Sequence, residues 1–322
     1  MTGPLGSVLM TSAGNKIPCL RALREAARRI DPEASIVAGD IDPDVAGRHL
    51  ADDFWLMPEL QALDLETIVS ECRRRDVRTI LPTRDGELPF WAGLRPALQA
   101  AGISVIVSRP ESVALCLDKL AFAEWGAVEG LPVIPASRDP DRYPDQSLVV
   151  KERFGAGSRS IGIDLTPAEA RRHASGLADP LFQPLVAGSE ISIDAWLSST
   201  GALHGLVLRR RDRVVNGESQ TTTTFRDAGL ETQAAAVLER LGLSGPVVMQ
   251  AIVTDAGLAV IEVNARFGGA STASLSVGLD LFYWSLFERV WPDAPLPDFD
   301  RRQGEIRQIR VSEDIVIRDP DL

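Results

Sequence analysis

The chain has 322 residues, 45% of them hydrophobic, 25% charged and 6% aromatic, a balance that supports two or three compact units and excludes disorder and collagen-like repeats. Its 34 basic against 45 acidic side chains leave a net charge of −11, which excludes nucleic-acid binding through a general electrostatic patch, and its apolar runs fall well short of the ~20 residues of a membrane span. Met1 to Met10 carries no basic segment leading into an apolar run, and Cys19, Cys72 and Cys116 lie far apart with no C-x-x-C, so the expectation is a cytoplasmic chain with free thiols and no secretory signal.

Ser7 to Thr11 reads as a short buried strand. Ile17, Leu20, Leu23, Ala27 and Ile30 then recur at helical spacing behind Pro18, which suits a first helical turn. A second strand is expected over Ala34 to Gly39, a helix over Leu65 to Arg75, a third strand over Arg78 to Pro82, a helix over Gly86 to Ala101 and a strand over Gly102 to Ser108. This alternation predicts an open parallel sheet, α/β and Rossmann-like, with ligands at the carboxyl ends of its strands. After Arg109 and Pro110 the pattern becomes α+β. It gives one helix over Glu111 to Gly126, strands at Leu148 to Glu152, Ser160 to Leu165 and Leu181 to Leu185, and a helix near Pro167. From Glu190 the period-two run Ile191, Ile193, Ala195, Leu197 predicts antiparallel sheet with one buried face and one free to line a cleft. Strands at Ala202 to Arg210 and Gly217 to Phe225, a helix at Gly229 to Leu241 and a last hairpin around Asp255, Ala256 and Gly257 complete the reading.

That hairpin carries the sharpest chemistry. If Asp255, Ala256 and Gly257 form its loop, Gln250 faces Glu262, and the strand period returns Asn264 to the same face. A carboxylate and two amide carbonyls are hard oxygen donors suited to Mg²⁺ completed by phosphates. The competing reading is a solvated polar sheet face; the apolar neighbours Val247, Val248, Ile252, Val260, Ile261 and Val263 argue for burial instead. Arg266, two residues beyond Asn264, can stabilise charge on a transferring phosphoryl group, and Gly268 and Gly269 permit close approach of backbone to ligand.

Lysine occurs only at Lys16, Lys119 and Lys151 among the 34 basic residues. A genome-wide preference for arginine explains the scarcity but not the survivors, since an ammonium is a compact charge that guanidinium does not reproduce. Lys151 closes the strand Leu148, Val149, Val150 and precedes the glycine-rich turn Gly155, Ala156, Gly157, Ser158, whose backbone N–H groups can face phosphates; hairpin glycines are otherwise structural. Neither the P-loop pattern nor G-x-G-x-x-G is present. Lys119 is a second phosphate candidate. The segment Gln183, Pro184, Leu185, Val186 leads to Glu190 and can offer backbone atoms to a flat heterocycle and a carboxylate to ribose. His49, His173 and His204 have no metal-ligand spacing. The run Arg209, Arg210, Arg211, Arg213 is read as either a solvated face or a carboxylate acceptor, and Asn216, Glu218, Gln220 and Thr221 to Thr224 as an acceptor lining.

Read in order, these segments resemble the ATP-grasp superfamily, most closely the branch that looks like the large subunit of carbamoyl phosphate synthetase. The resemblance also takes in Leu81-Pro82-Thr83-Arg84-Asp85-Gly86-Glu87-Leu88, Asp118-Lys119 and Glu262-Val263-Asn264-Ala265-Arg266. It implies a pre-ATP-grasp domain over residues 1–110, a small nucleotide-lid lobe over 111–187 and a metal-bearing lobe over 188–322. It further implies ATP with Mg²⁺, or Mn²⁺ in its place. Lys119, Lys151 and Gly155 to Ser158 would lie on the phosphates, Gln183 to Val186 on adenine and Glu190 on ribose. Gln250, Glu262 and Asn264 would hold metal, and Arg266 would face the γ-phosphoryl group, with Arg266 and Lys151 catalytic. The implied activity is an ADP-forming ligase that activates a small carboxylate as an acyl phosphate and joins it to an amine, in a homodimer without nucleic-acid or membrane partners. Gln250 stands where the family often has glutamate and the carbamoyl phosphate branch has glutamine, which leaves one or two metal ions open, while the single module and the lack of a recognisable amidotransferase portion set the chain apart from carbamoyl phosphate synthesis itself. The alternatives are a carbamate or carboxylate kinase-like enzyme and a non-catalytic nucleotide-binding subunit.

Overall fold

Strand β1 (Ser7–Thr11) is buried at every residue, the pattern of a strand covered on both faces. The computed structural model describes residues 5–14, 16–155, 160–215 and 217–317. Within them β1 is followed by α1 (Ile17–Ile30), β2 (Ile36–Asp40), β3 (Asp53–Leu56), α2 (Leu65–Arg74), β4 (Val77–Leu81), α3 (Leu88–Ala100) and β5 (Ser104–Val105). The five strands form a parallel sheet in the order β3-β2-β1-β4-β5, as the βα alternation predicts. Two details differ. β3, which the sequence did not announce, is an edge strand in which only Trp55 is buried, so it has no apolar run to read. β5 is two residues long because the chain turns at Val107, whose N–H bonds Val105 O at 3.0 Å.

The single helix expected over Glu111 to Gly126 is two, α4 (Pro110–Leu117) and α5 (Lys119–Val128). Asp118 between them is extended (φ −96°, ψ 97°), and its carboxylate caps Leu120 N and Ala121 N, both at 3.1 Å. An N-capping aspartate starts a helix as well as any residue does, and here it starts α5 on Lys119. A small antiparallel sheet comes next, built from β6 (Leu148–Glu152), β7 (Gly162–Leu165) and β8 (Pro180–Pro184) in the order β7-β6-β8, with α6 (Pro167–Ala174) against it. Leu148, Val150, Phe182 and Ala170 form its own core.

The third sheet comprises β9 (Ser189–Leu197), β10 (Leu203–Val215), β11 (Glu218–Phe225), then, after α7 (Ala228–Leu238), β12 (Gly245–Thr254) and β13 (Gly257–Asn264). It closes with α8 (Thr272–Ser276), α9 (Leu281–Val290) and the edge strand β14 (Arg307–Ile309), in the order β13-β12-β9-β10-β11-β14. One face packs with α7 against the α2 and α3 side of the parallel sheet, joining Leu9, Trp55 and Trp91 to Ile193, Val237 and Met249 in one core. The opposite face meets α9, and α9 packs on α1, so Leu20 and Leu23 share a second core with Trp196, Phe267 and Phe282. The face of β9 expected to be free to line a cleft is so only in part. Asp194 and Trp196 are fully buried on that face, and only Ser192 of β9 lines a cleft.

Candidate active site

The β12–β13 hairpin does bring Gln250 opposite Glu262 and Val248 opposite Asn264, although by a different local geometry from the expected one. The loop is two residues, Asp255 and Ala256, with Thr254 paired to Gly257, and one extra residue, Ile261, lies between the pairs Ala251–Val260 and Gln250–Glu262. A bulge of this kind turns the strand and re-aims the side chains beyond it. Leu258, Val260 and Val263 face the core, while Ile261, Glu262 and Asn264 are only partly buried on the other side. Asn264 Nδ2 donates to Glu262 Oε1 at 3.3 Å. With its amide oriented to match donors with acceptors, Gln250 donates to the same oxygen at 3.0 Å and accepts from Arg211 Nη1 at 3.2 Å. The solvated-face alternative does not hold: the three side chains touch one another in a half-buried cluster.

Arg266 leaves β13 beside this trio. It ion-pairs with Asp85, donates to Phe267 O at 3.0 Å and lies 3.4 Å from Asn264 Oδ1. Asp85 belongs to the loop after β4, which Glu87 holds in place. The buried Glu87 carboxylate accepts from Thr11 Oγ1 (2.8 Å), Thr83 N (2.8 Å), Arg84 N (3.0 Å) and Trp91 Nε1 (3.1 Å), so its charge is spent on fixing the loop. Beyond Arg266, Gly268 N donates to Ser271 Oγ (2.8 Å), which donates to Asp194 Oδ1 (2.8 Å). A Cβ on Gly268 would meet Val248 Cγ2 at 3.1 Å, so close approach to the protein's own strand accounts for this glycine.

The small sheet turns Lys151 and Gln183 to one face, since Lys151 pairs with Leu181 and Gln183 with Val149, while Leu148, Val150 and Phe182 face its core. Lys151 is 5% exposed. Burial is the main cause that lowers its pKa to about 8, Lys119 adds to the shift, and Glu262 and Glu190 oppose it. Lys151 of the small sheet and Glu262 of the large one thus share one electrostatic environment. Lys119 Nζ donates to Gly155 O at 2.6 Å, which brings the second lysine expected on phosphate to the first residue of the glycine-rich segment. Ala156, Gly157 and Ser158 lie outside the described residues, as does Asn216. Gln183 spends its amide on Ile134 O (3.2 Å), and Leu185 its N–H on Ser147 O (2.8 Å). Pro184 ends β8, and Leu185 and Val186 lead from it to Glu190. Glu190 is half exposed and ion-paired to Arg211.

A cleft of about 750 Å³ opens between the carboxyl ends of β1 and β4 and the strands β9 to β13. Gln250, Asn264 and Arg266 line it from one side, Lys16, Thr83, Arg84 and Asp85 from the other, and Arg211, Glu218 and Arg310 from the β10–β11 and β14 end. Two of the arginines read as a solvated run are not solvated. Arg209 is 2% exposed and bound to Asp194 through Nε (2.6 Å) and Nη2 (3.0 Å), and Arg211 donates to Gly217 O (2.7 Å) besides holding Glu190. Arg210 and Arg213 do lie at the surface. Of the expected acceptor lining, Glu218 reaches the cleft, whereas Thr222, Thr223 and Thr224 are buried in the sheet. The sequence reading missed Asp194, although a carboxylate inside the apolar run from Ile191 to Leu197 was the available signal. The three cysteines are buried and unpaired, and burial pushes each thiol up to about 12. His173 and His204 bond backbone oxygens, Ser160 O at 2.9 Å and Pro297 O at 2.8 Å.

Residues 177–309 match the family model described as "ATP-grasp in the biosynthetic pathway with Ter operon", and residues 8–106 match the "PylC-like, N-terminal domain". The chain is thus similar to ATP-grasp proteins over residues 177–309. A phosphoribosylamine–glycine ligase of Methanocella arvoryzae is 24% identical over 299 residues, 81% of this chain and 67% of that one. Another of that name, from Mycobacterium leprae, is 26% identical over 242 residues, 64% of this chain and 57% of that one. The alignments thus span between about half and two thirds of these relatives. Among solved structures, the biotin carboxylase domain of Hydrogenobacter thermophilus 2-oxoglutarate carboxylase, crystallised with MgADP, ADP and bicarbonate, superposes with a TM-score of 0.73 at 18% identity, over 94% of this chain and 74% of that one. The likeness is one of fold. Among the described residues no helix is long and apolar enough to cross a membrane.

Proposed function

We propose that this chain is an ADP-forming ATP-grasp ligase that activates a small-molecule carboxylate as an acyl phosphate and joins it to an amine. The observation that carries the reading is the half-buried cluster Gln250, Glu262 and Asn264, with Arg266 beside it and the buried Lys151 of the small sheet close enough for Glu262 to oppose the fall of its pKa. The donor set fits Mg²⁺, with Mn²⁺ as a substitute. It is all oxygen, and the hydrogen bonds to Glu262 come from neutral amides, so among the described residues its charge is left to a cation. When bound, that ion neutralises charge on the nucleotide's terminal phosphates. A lone carboxylate in the trio leaves coordination to be completed by those phosphates and by water.

The remaining roles are those that the resemblance implies. Lys119 and Lys151 neutralise phosphate oxygens, with Gly155 beside Lys119; Gln183, Pro184, Leu185 and Val186 border the adenine, and Glu190 takes the ribose. Arg266, held by Asp85 and Phe267 O, presents its guanidinium to the transferring phosphoryl group. Phosphoryl transfer is carried largely by positioning and charge stabilisation, so no protein nucleophile is required, and buried thiols held near 12 do not offer one. The boundaries 1–110, 111–187 and 188–322 assign the parallel sheet, the nucleotide lid and the metal lobe in turn, the first and last of which share their cores. Three unpaired thiols support a cytoplasmic setting, and a homodimer is the assembly that the resemblance implies.

The test is a coupled ADP-release assay over a panel of carboxylic acids, each with and without amines, with the product mass determined. ADP release that requires both an acid and an amine is the expected result. Release at full rate with an acid alone, and accumulation of its acyl phosphate, would replace the ligase by a kinase; no ADP release with any pair under conditions where MgATP binds would leave a binding subunit.

A further inference from the structure

The cleft lining is unevenly charged. Four of its guanidinium groups are matched by carboxylates: Arg209 by Asp194, Arg211 by Glu190, Arg266 by Asp85 and Arg310 by Glu218. Lys16 and Arg84 are not; among the described residues neither has a carboxylate oxygen within 4.0 Å. They come from the loops after β1 and β4, neighbouring strands of the parallel sheet, at the edge where open α/β sheets bind ligands. The nearest acids are already committed. Asp40 Oδ2 accepts from Gly14 N (2.9 Å), and Glu87 holds the β4 loop.

We infer that the molecule bound in this cleft carries, besides the carboxylate that is activated, a second anionic group that docks on Lys16 and Arg84. The inference rests on the ligase reading and names its substrate class: a dicarboxylate or a phosphorylated acid. Lys16 is the one lysine of three that the nucleotide site does not absorb, and its ammonium is steadied by Ser12 O at 3.2 Å. Burial first, and Arg266 next, hold its pKa below the ordinary lysine value, so a cation is kept where the protein alone disfavours one. Arg84 is exposed to the cleft, and its backbone N–H is fixed by Glu87. A pre-positioned fork beside a compact charge suits an oxyanion of carboxylate or phosphate geometry.

The experiment loads the full chain with Mg²⁺ and the non-hydrolysable AMPPNP, which fills the γ-phosphate position, and then titrates inorganic phosphate and, separately, succinate by calorimetry. Saturable binding of at least one probe is expected, weakened by about tenfold or more in K16M and R84Q while AMPPNP affinity stays within about twofold. Phosphate alone would indicate a phosphorylated acid, succinate a dicarboxylate. The proposal is overturned if neither probe binds, if the variants bind them undiminished, or if the variants lose AMPPNP in proportion, which would make these cations part of the nucleotide site. Failure of AMPPNP itself to bind would strike the nucleotide reading instead, and the same titration on the unloaded protein and both variants would still decide this one.

Discussion

Gln250 stands opposite Glu262 because Ile261 is an extra residue that the β12–β13 ladder does not pair. Were the ladder regular through Ile261, the period-two alternation that buries Leu258 and Val260 would carry Glu262 into the same apolar core. The carboxylate is therefore re-aimed by a bulge toward two amides and away from Met249 and Val263. Loss of partners in the outer shell of a metal site already costs roughly 10–100-fold in affinity, so loss of the one carboxylate should cost at least about as much. For wild type, ADP binding should tighten on adding Mg²⁺; in Glu262→Ala that difference should shrink to within about twofold, with metal-free ADP affinity little changed. Calorimetric titrations with and without EDTA measure this, and full magnesium dependence in the variant would take the cation away from the hairpin.

The face shared by Gln250, Glu262 and Asn264 was legible because apolar alternation and turn residues specify which side of a strand is wet. The way it arises was not, since a bulge such as Ile261 has no composition of its own. The same limit hid the break at Asp118. The apolar residues on either side read as one helix, and only the capping geometry ends α4 and starts α5 on Lys119. The edge strands β3 and β14 and the helices α8 and α9 also went unread, the edges because they bury little. The cleft's charged lining depends on the packing of two sheets far apart in sequence, which no local pattern encodes.

Asp118 also gives a prediction for the nucleotide site. Its carboxylate caps α5 and takes two hydrogen bonds from Arg153, Nε at 2.7 Å and Nη2 at 2.5 Å. Burial works to raise its pKa, but Arg153 and the capping N–H groups outweigh that and hold it below the usual value. A depressed carboxylate pKa contributes stability that is present above the unfolded value and lost as pH falls through the folded one. Asp118→Ala should cost about 1 kcal/mol at neutral pH, as a lost cap does, and this penalty should disappear in acid. It should also raise the KM for ATP by displacing Lys119. Denaturant melts at neutral and acid pH, with steady-state kinetics, check both; an unchanged KM would detach Lys119 from the phosphates.

Lys151 has the opposite sign. Burial and Lys119 bring its folded pKa to about 8, against 10.5 ordinarily. Between those values the unfolded chain holds a proton that the folded one has released, so folding stability from this group rises with pH through that window. Below about 8 the buried ammonium is carried at a cost on the order of 3 kcal/mol. In the ligand-free protein, Lys151→Met should therefore be stabilising at pH 7, and its advantage should diminish as pH approaches 10. Urea titrations of both proteins at several pH values measure the difference. A pH-independent difference would show that Lys151 keeps its ordinary pKa in the fold.

Asp194 and Arg209 are the deepest charged pair in the described chain, with side chains 0% and 3% exposed. Asp194 accepts from Arg209, Ser271 and Ser274, and Arg209 Nη1 reaches Thr222 Oγ1 at 3.3 Å. Removing one member of such a pair leaves a buried charge without its partner and typically costs 3–5 kcal/mol, whereas replacing both by apolar residues of similar volume is often neutral. Asp194→Ala should lower stability by about that amount, and Asp194→Leu with Arg209→Met should recover most of it. Activity separates the two roles, because Asp194 holds Gly268 through Ser271 and Gly268 lies two residues beyond Arg266. The apolar double variant should fold and still lose turnover, with KM for ATP nearly unchanged, since only the placement of the Arg266 turn is disturbed. A double variant with wild-type turnover would reduce the pair to a structural strut, and a single variant costing less than about 1 kcal/mol would mean that water reaches Arg209.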